Sequence, residues 1–225
     1  MKGLIKKDFI LIGQQKITMI VLIVIVFLIS MVNDEENLSL RYSILCGYLM
    51  MLGAMISLST ISYDESDNGY PYLMTMPFTR KMYVSGKFIV CGIMSIIAAA
   101  IAGAIVLLSS GIVDGHLPLI SDMVMIMAAI AAGSVVVSGI GIPSYLKFGQ
   151  QKGIIGIIVV FVLIYGGVYI INKIVQSFGI SFKSLLSGLS NLEGSMFAIL
   201  LIAVAAIIFI ISWSISVRIM EKKEF

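Results

Sequence analysis

Six long uncharged apolar runs dominate the chain, with polar residues confined to the stretches between them. The runs extend from Ile17 to Val32, Tyr42 to Ser62, Phe88 to Ser109, Met123 to Tyr145, Ile154 to Ile171 and Ser195 to Val217. A helix needs about 20 apolar residues to cross a hydrocarbon layer about 30 Å thick, and the runs meet that length, the shortest with help from its flanks. They lack the in/out alternation of a membrane barrel, and a lipid-facing backbone must satisfy its own hydrogen bonds, so each run is expected as a helix. The expected fold is all-α: one transmembrane domain over residues 1–225 with six spans.

The polar stretches add detail. Residues 1–16 carry Lys2, Lys6, Lys7 and Lys16, too many charges to cross, while Leu4, Ile5, Phe9 and Ile12 recur at helical spacing. This is the pattern of an interfacial helix whose lysines reach lipid phosphates, or of basic residues that only set topology. The first run is expected to stay as an anchor, because it ends in Val32-Asn33-Asp34-Glu35-Glu36 without a small-residue cleavage pattern. Residues 63–87 form a polar, proline-punctuated loop. Asp64 and Glu65 leave the second run, turns follow at Gly69 and at Tyr70-Pro71, and Tyr72-Leu73-Met74-Thr75-Met76 stops at Pro77. Phe78 follows, Thr79 is placed to cap the next helix, and Arg80, Lys81 and Lys87 run along it. A short apolar-tipped helix held on two turns fits a groove on a partner; the alternative is that its Tyr and Met side chains dip into lipid headgroups. Residues 172–194 are too interrupted to span and too apolar for a free loop. They read as two short re-entrant helices, with an amphipathic surface helix as the alternative. Near the end of the fourth run, Gly139, Gly141 and Pro143 mark either a kink or the helix terminus.

Charge sets the orientation. Of the 15 basic residues, only Arg41, Lys173 and Lys183 fall on the side opposite the N-terminus, so both termini are expected in the cytoplasm. With 60% hydrophobic and 12% charged residues and a mean hydropathy of +1.10, a soluble domain is excluded. Cys46 and Cys91 lie within spans as small apolar fillers, and the lone His116 reads as a solvated loop residue, so neither metal nor disulfide is indicated.

Several chemistries are missing. No span interior holds Asp, Glu, Lys, Arg or His, although such residues, each costing at least about 2.5 kcal/mol to insert, are what ion pathways retain. No nucleophile–base set and no GxxxxGK[ST] loop is present, so the chain is not expected to be an enzyme or to bind ATP itself. Energy or a signal must arrive through another protein, and the 63–87 loop is the natural receiver.

The pattern E-x-x-x-x-G-x-x-x-L-x-x-x-P-x-x-R-K is approximated by Glu65, Leu73, Pro77, Arg80 and Lys81: counted from Glu65 the glycine position is Tyr70, while Gly69, one place earlier, is the glycine from which the spacing to Leu73, Pro77, Arg80 and Lys81 runs; YLKFGQQKG follows at Tyr145 to Gly153. These stretches resemble the ABC-2 type (type 2 ABC exporter) permease subunits, most closely the small bacterial permeases that export phenol-soluble modulins and antimicrobial peptides. The resemblance implies a coupling helix at residues 63–87, re-entrant helices before the sixth span, a second permease copy or homologue, and a separate ABC ATPase subunit that carries ATP and Mg. It further implies a bacterial cytoplasmic membrane location and amphipathic or hydrophobic cargo. The ATPase-coupling residues are then Asp64, Glu65, Tyr70, Pro71, Tyr72, Leu73, Met74, Met76, Pro77, Phe78, Arg80 and Lys81, and the outer gate is Phe178, Phe182, Leu185 and Leu186. No nucleic acid partner is expected. The competing function is a membrane scaffold or immunity protein that binds a cytoplasmic partner without moving cargo.

Overall fold

The computed structural model describes residues 2–32, 38–65, 69–75, 77–114, 119–177 and 194–223. Among the described residues seven helices follow in order: α1 Lys2–Gln14, α2 Lys16–Val32, α3 Leu38–Glu65, α4 Gly69–Met74, α5 Arg80–Ser109, α6 Ile120–Ser177 and α7 Gly194–Lys222. A π-helical turn, Ser110–Asp114, extends α5. The described residues contain no strand. Among them, Arg80–Ile112, Ile120–Gly149 and Ala198–Lys222 are long and apolar enough to cross a membrane, and a fourth path arises if α1 and the start of α2 are taken together across their 61° bend. Large apolar side chains on the outer faces, such as Ile199, Ile207 and Ile210 on α7, are exposed. Outside water, this is the surface that hydrocarbon tails cover.

α6 contains the sharpest local event. Gly149 has φ 76° and ψ 178°, a left-handed conformation that a side chain would resist, and a Cβ there would also run into the carboxylate of Glu65. Beyond it the chain comes back on itself: a Cβ on Gly153 would lie 3.0 Å from the Tyr145 ring, and one on Gly156 would lie 3.2 Å from the Cβ of Ser144. In a continuous helix Tyr145 and Gly153 would be about 12 Å apart, so α6 is an antiparallel hairpin whose whole turn is one glycine. The small residues after the turn allow its arms to touch.

The fourth run does not stop at Tyr145, nor does Pro143 end it, because the first arm continues to Gly149. Proline at 143 has no N–H for the carbonyl four residues back, at Gly139. The Ser212 hydroxyl of α7 donates to that carbonyl, so the lost bond is replaced from a neighbouring helix. Hydroxyls elsewhere are satisfied within or between helices: Ser57 donates to Ala54 O at 2.7 Å and lies 3.2 Å from the Ser138 hydroxyl across the α3–α6 contact. Close approach of backbones depends on small side chains, since a Cβ on Gly53 of α3 would stand only 2.9 Å from the Cβ of Ala98 on α5.

α1 is a separate helix, and its apolar stripe meets protein. Ile12 packs with Val90 and Met94 of α5, Ile5 and Phe9 join the same cluster, and Leu4 packs against a second cluster around Tyr83 and Val84. A third cluster, including Val26, Leu45, Ala102 and Ile130, fills the opposite half of the bundle.

Two substitutions test these local devices. Gly149→Ala is expected to destabilise by about 1–2 kcal/mol through the left-handed backbone alone, with more from the Glu65 contact. Ser212→Ala, which orphans the Gly139 carbonyl, is expected to cost roughly 1 kcal/mol. Thermal unfolding in mild detergent reads both, and wild-type stability in Ser212→Ala would show that the carbonyl does not depend on Ser212.

Candidate functional site

The end of α3, the turn of α6, the start of α5 and the end of α7 gather at one end of the bundle. The end of α3 meets the turn of α6 where Glu65 lies against Gly149. The start of α5 meets the end of α7, because the Arg80 guanidinium donates to the carbonyls of Met220 at 3.2 Å and Glu221 at 2.6 Å. These are carbonyls that a helix C-terminus leaves without an intrahelical partner, and a cation suits them. Lys223 then donates to Leu146 O of α6 at 3.1 Å. α5 itself begins as its sequence dictates: Thr79 has extended backbone, and its hydroxyl accepts from Met82 N at 3.2 Å.

Beneath this junction lies a buried ionic node. The Lys87 ammonium sits between Asp8 Oδ1 at 2.7 Å and Asp64 Oδ2 at 2.6 Å, and donates also to Thr60 O at 3.1 Å. Lys7 pairs with Asp64 and stands 3.6 Å from Asp8. The Tyr83 hydroxyl donates to Asp64 Oδ2 at 2.9 Å. The side chains of Asp8, Asp64 and Lys87 are 4% exposed or less, so these charges have left water almost completely. Two ammonium groups answer two carboxylates, and the node is neutral as a whole. Burial raises the Asp8 carboxyl above its ordinary value; the Lys87 charge and its hydrogen bond, and the Lys7 charge, oppose this, while Asp64 adds to it.

α4 is rooted in the same place. Tyr70 and Leu73 point inward, 4% and 7% exposed, in the cluster that also holds Ile142, Tyr145 and Met220. The Tyr70 and Tyr83 rings meet edge to face with centroids 6.0 Å apart, and the Lys223 ammonium lies 4.5 Å from the Tyr70 ring centre. Burial pushes the Tyr70 hydroxyl up and the Lys223 ammonium down. Contacts thus run without a gap from α4 through Tyr70, Tyr83, Asp64 and Lys87 to Asp8 on α1. Among the described residues the arrangement offers no nucleophile with a base; it is a joint that ties α1, α3, α4 and α5 to one another.

This placement revises the sequence expectations residue by residue. Tyr70 was expected in a turn with Pro71 and Leu73 on an apolar tip offered outward, yet both residues lie within α4 and anchor it, because packing against the α6 and α7 ends takes their apolar surface out of water. Tyr72 does face out, at 68% exposed. Pro77 is exposed and Phe78 is partly buried against the core. Pro71 and Met74 lie within α4, but their side chains, together with Met76, fall outside the described residues, as do Phe178, Phe182, Leu185 and Leu186. Asp64 does not leave for solvent but enters the node. Lys7, expected to reach lipid phosphate, is held by Asp64, whereas Lys2 and Lys6 remain exposed. Lys81 lies over the Trp213 ring at 5.4 Å, and the indole N–H donates to the Ser85 hydroxyl at 3.1 Å. The residues that sequence reasoning missed are Asp8, Thr60, Tyr83 and Lys87 in the node, and Lys223 at the joint. A signal existed: Asp8 shares the helical face of Leu4, Ile5 and Ile12, and Lys87 that of Val84 and Cys91. A charge on an apolar stripe demands a buried partner.

Fold and site together define an all-helical, multi-pass membrane protein whose helix ends converge on one polar joint. The chain belongs to the ABC-2 family: the model described as ABC-2 family transporter protein matches residues 3–221, nearly the whole sequence. It is therefore a membrane component of an ABC transporter. No curated protein and no solved structure matches it.

Lys87→Met would strand Asp8 and part of Asp64, and is expected to lower stability by about 3–5 kcal/mol; adding Asp8→Asn should recover part of the loss in thermal unfolding. Because the Asp8 pKa is raised on folding, its protonated form favours the fold. That contribution is complete below the ordinary value of 3.8 and disappears as pH rises through the raised folded value. Unfolding midpoints of wild type relative to Asp8→Asn should accordingly improve on acidification through that window, and a pH-independent difference would contradict the burial of an ionisable Asp8.

Proposed function

We propose that this chain is the permease of an ATP-driven exporter and that α4 is the element on which a separate ATPase subunit acts. In this reading α2, α3, α5, the two arms of α6, and α7 make six crossings, with both termini in the cytoplasm of a bacterial cell. The meeting of α1, through Lys7 and Asp8, with the ends of α3 and α7 on one side supports it, since an even number of crossings returns the chain to its starting face. The observation that carries the proposal is the pairing of outward Tyr72 with inward Tyr70 and Leu73. α4 presents one aromatic side chain while its other face is rooted in a core shared by α3, α5, α6 and α7. A push on Tyr72 passes to those helices and, through the node, to α1.

The permease acts as a dimer with a second copy or a homologous chain, and the path between the two is lined by uncharged side chains suited to amphipathic peptides or other hydrophobic cargo. Residues 172–194, with Phe178, Phe182, Leu185 and Leu186, form its outer gate. The ATPase subunit binds ATP and Mg; this chain binds neither. Rigid-body tilting of helices joined at the cytoplasmic end is a recurrent way of converting partner closure into opening on the far side.

Purification of the tagged chain from its native cells should recover a P-loop ATPase with vanadate-sensitive hydrolysis. Tyr72→Asp, at an exposed position that folding does not need, is expected to weaken that association by roughly tenfold or more, the loss typical of an interface aromatic anchor, and to uncouple hydrolysis from export. Full association and export by Tyr72→Asp would exclude α4 as the receiving element.

A further inference from the structure

Next to the joint, and sharing Leu146 and Lys223 with it, an open cleft of about 580 Å³ lies between the end of the first arm of α6 and the last turns of α7. Its wall is Leu146, Ile215 and Ile219 together with Lys147, Arg218, Lys222 and Lys223. No carboxylate lines it among the described residues. Lys223 is engaged with Leu146 O and the Tyr70 ring, and Lys147 lies 5.1 Å over the Phe148 ring, while Arg218 and Lys222 belong to one face of α7, four residues apart. So many cations beside an apolar wall form a receptor for an anion that carries a hydrophobic body.

The same face of α7 continues away from the cleft as Ile215, Ile211, Ile207 and Val204, each 47% exposed or more. From Ile215 back to Val204 the helix rises about 16 Å. One leaflet of a bilayer core is about 15 Å thick, so the apolar track matches one acyl chain, with the cations at its headgroup end. We propose that this cleft binds an anionic phospholipid of the cytoplasmic leaflet, with its phosphate on Arg218, Lys222 and Lys147 and an acyl chain along the isoleucine stripe of α7. Basic pockets between helices on the cytoplasmic side are suited to such headgroups. A free phosphate shares the headgroup chemistry but makes no use of the stripe. An acidic protein would use the cations and leave the track to bulk lipid. Length and polarity of the track favour the lipid.

The site can be read by fluorescence, because Trp213 is the only tryptophan. The full chain carrying Ile215→Trp in a Trp213→Phe background is reconstituted into two sets of nanodiscs. Both contain equal amounts of phosphatidylglycerol and phosphatidylcholine; in one set the former is brominated, in the other the latter. Brominated phosphatidylglycerol is expected to quench the tryptophan at 215 at least about twofold more strongly than brominated phosphatidylcholine, and Arg218→Gln with Lys222→Gln to bring the two to equality. If the doubly neutralised chain fails to insert, each single change is expected to lower the ratio. Equal quenching in the parent overturns the proposal, as does a preference that survives neutralisation. Loss of the preference on adding inorganic phosphate at constant ionic strength would assign the site to a free anion and also overturn it. The family assignment and the role of α4 stand apart from each of these outcomes.

Discussion

One ammonium group held between two carboxylates organises this protein. Lys87 of α5 has Asp8 of α1 on one side and Asp64 of α3 on the other, all three nearly sealed from water. None of these charges is tolerable alone at that depth, because taking an ion out of water costs several kcal/mol unless a partner and hydrogen bonds meet it. Three helices therefore have one mutual arrangement in which every charge is answered, and sliding any of them leaves an ion exposed to an apolar surrounding. The buried pairing is weak evidence for high stability. Its effect is to specify register, and it ties the N-terminal helix to the polar loop that follows α3.

Around that node the bundle is held by devices suited to a hydrocarbon solvent. Apolar surface supplies little attraction between helices there, since lipid tails are as apolar as leucine. Close contact between small residues and exchange of hydroxyl hydrogen bonds take over, as at Gly53 with Ala98 and at Ser57 with Ser138. Pro143 shows the same economy: its missing N–H is made good by Ser212 of another helix, so the kink-prone site becomes a link between α6 and α7. Gly149 then reverses the chain in a single residue and brings the Tyr145–Gly153 stretch against Glu65. Two motif stretches far apart in the sequence are thereby parts of one joint.

The joint faces the proposed ATPase through Tyr72 and the proposed lipid through the Lys147, Arg218 and Lys222 cleft. Both surfaces bear on the same helix ends: Arg80 binds the end of α7, and Lys223 connects that end to α6 and to the Tyr70 ring. On the two proposals, a push on α4 and an anion held at α7 would act on one set of helix ends, which would give membrane composition a direct route to the coupling element.

Much of this was legible in the sequence. Apolar runs that form helices and the Thr79 cap follow from residue types read locally, because helix formation and capping are set by each segment's own residues. A short helix before Pro77 was legible too, but displaced: it was expected over Tyr72–Met76 behind a turn at Tyr70-Pro71, whereas α4 runs Gly69–Met74 and takes that turn into its own first residues. Its facing was not: Tyr70, Tyr72 and Leu73 are alike in composition, and only packing against Tyr145, Leu146 and Met220 turns two inward and one outward. The apolar stripes that carry Asp8 and Lys87 called for buried partners, but no local feature named them, so that Lys7, Lys87, Asp8 and Asp64 meet was not legible. Burial of a charge is a property of the surroundings that distant segments create, and those surroundings exist only when α1, α3 and α5 have closed on one another.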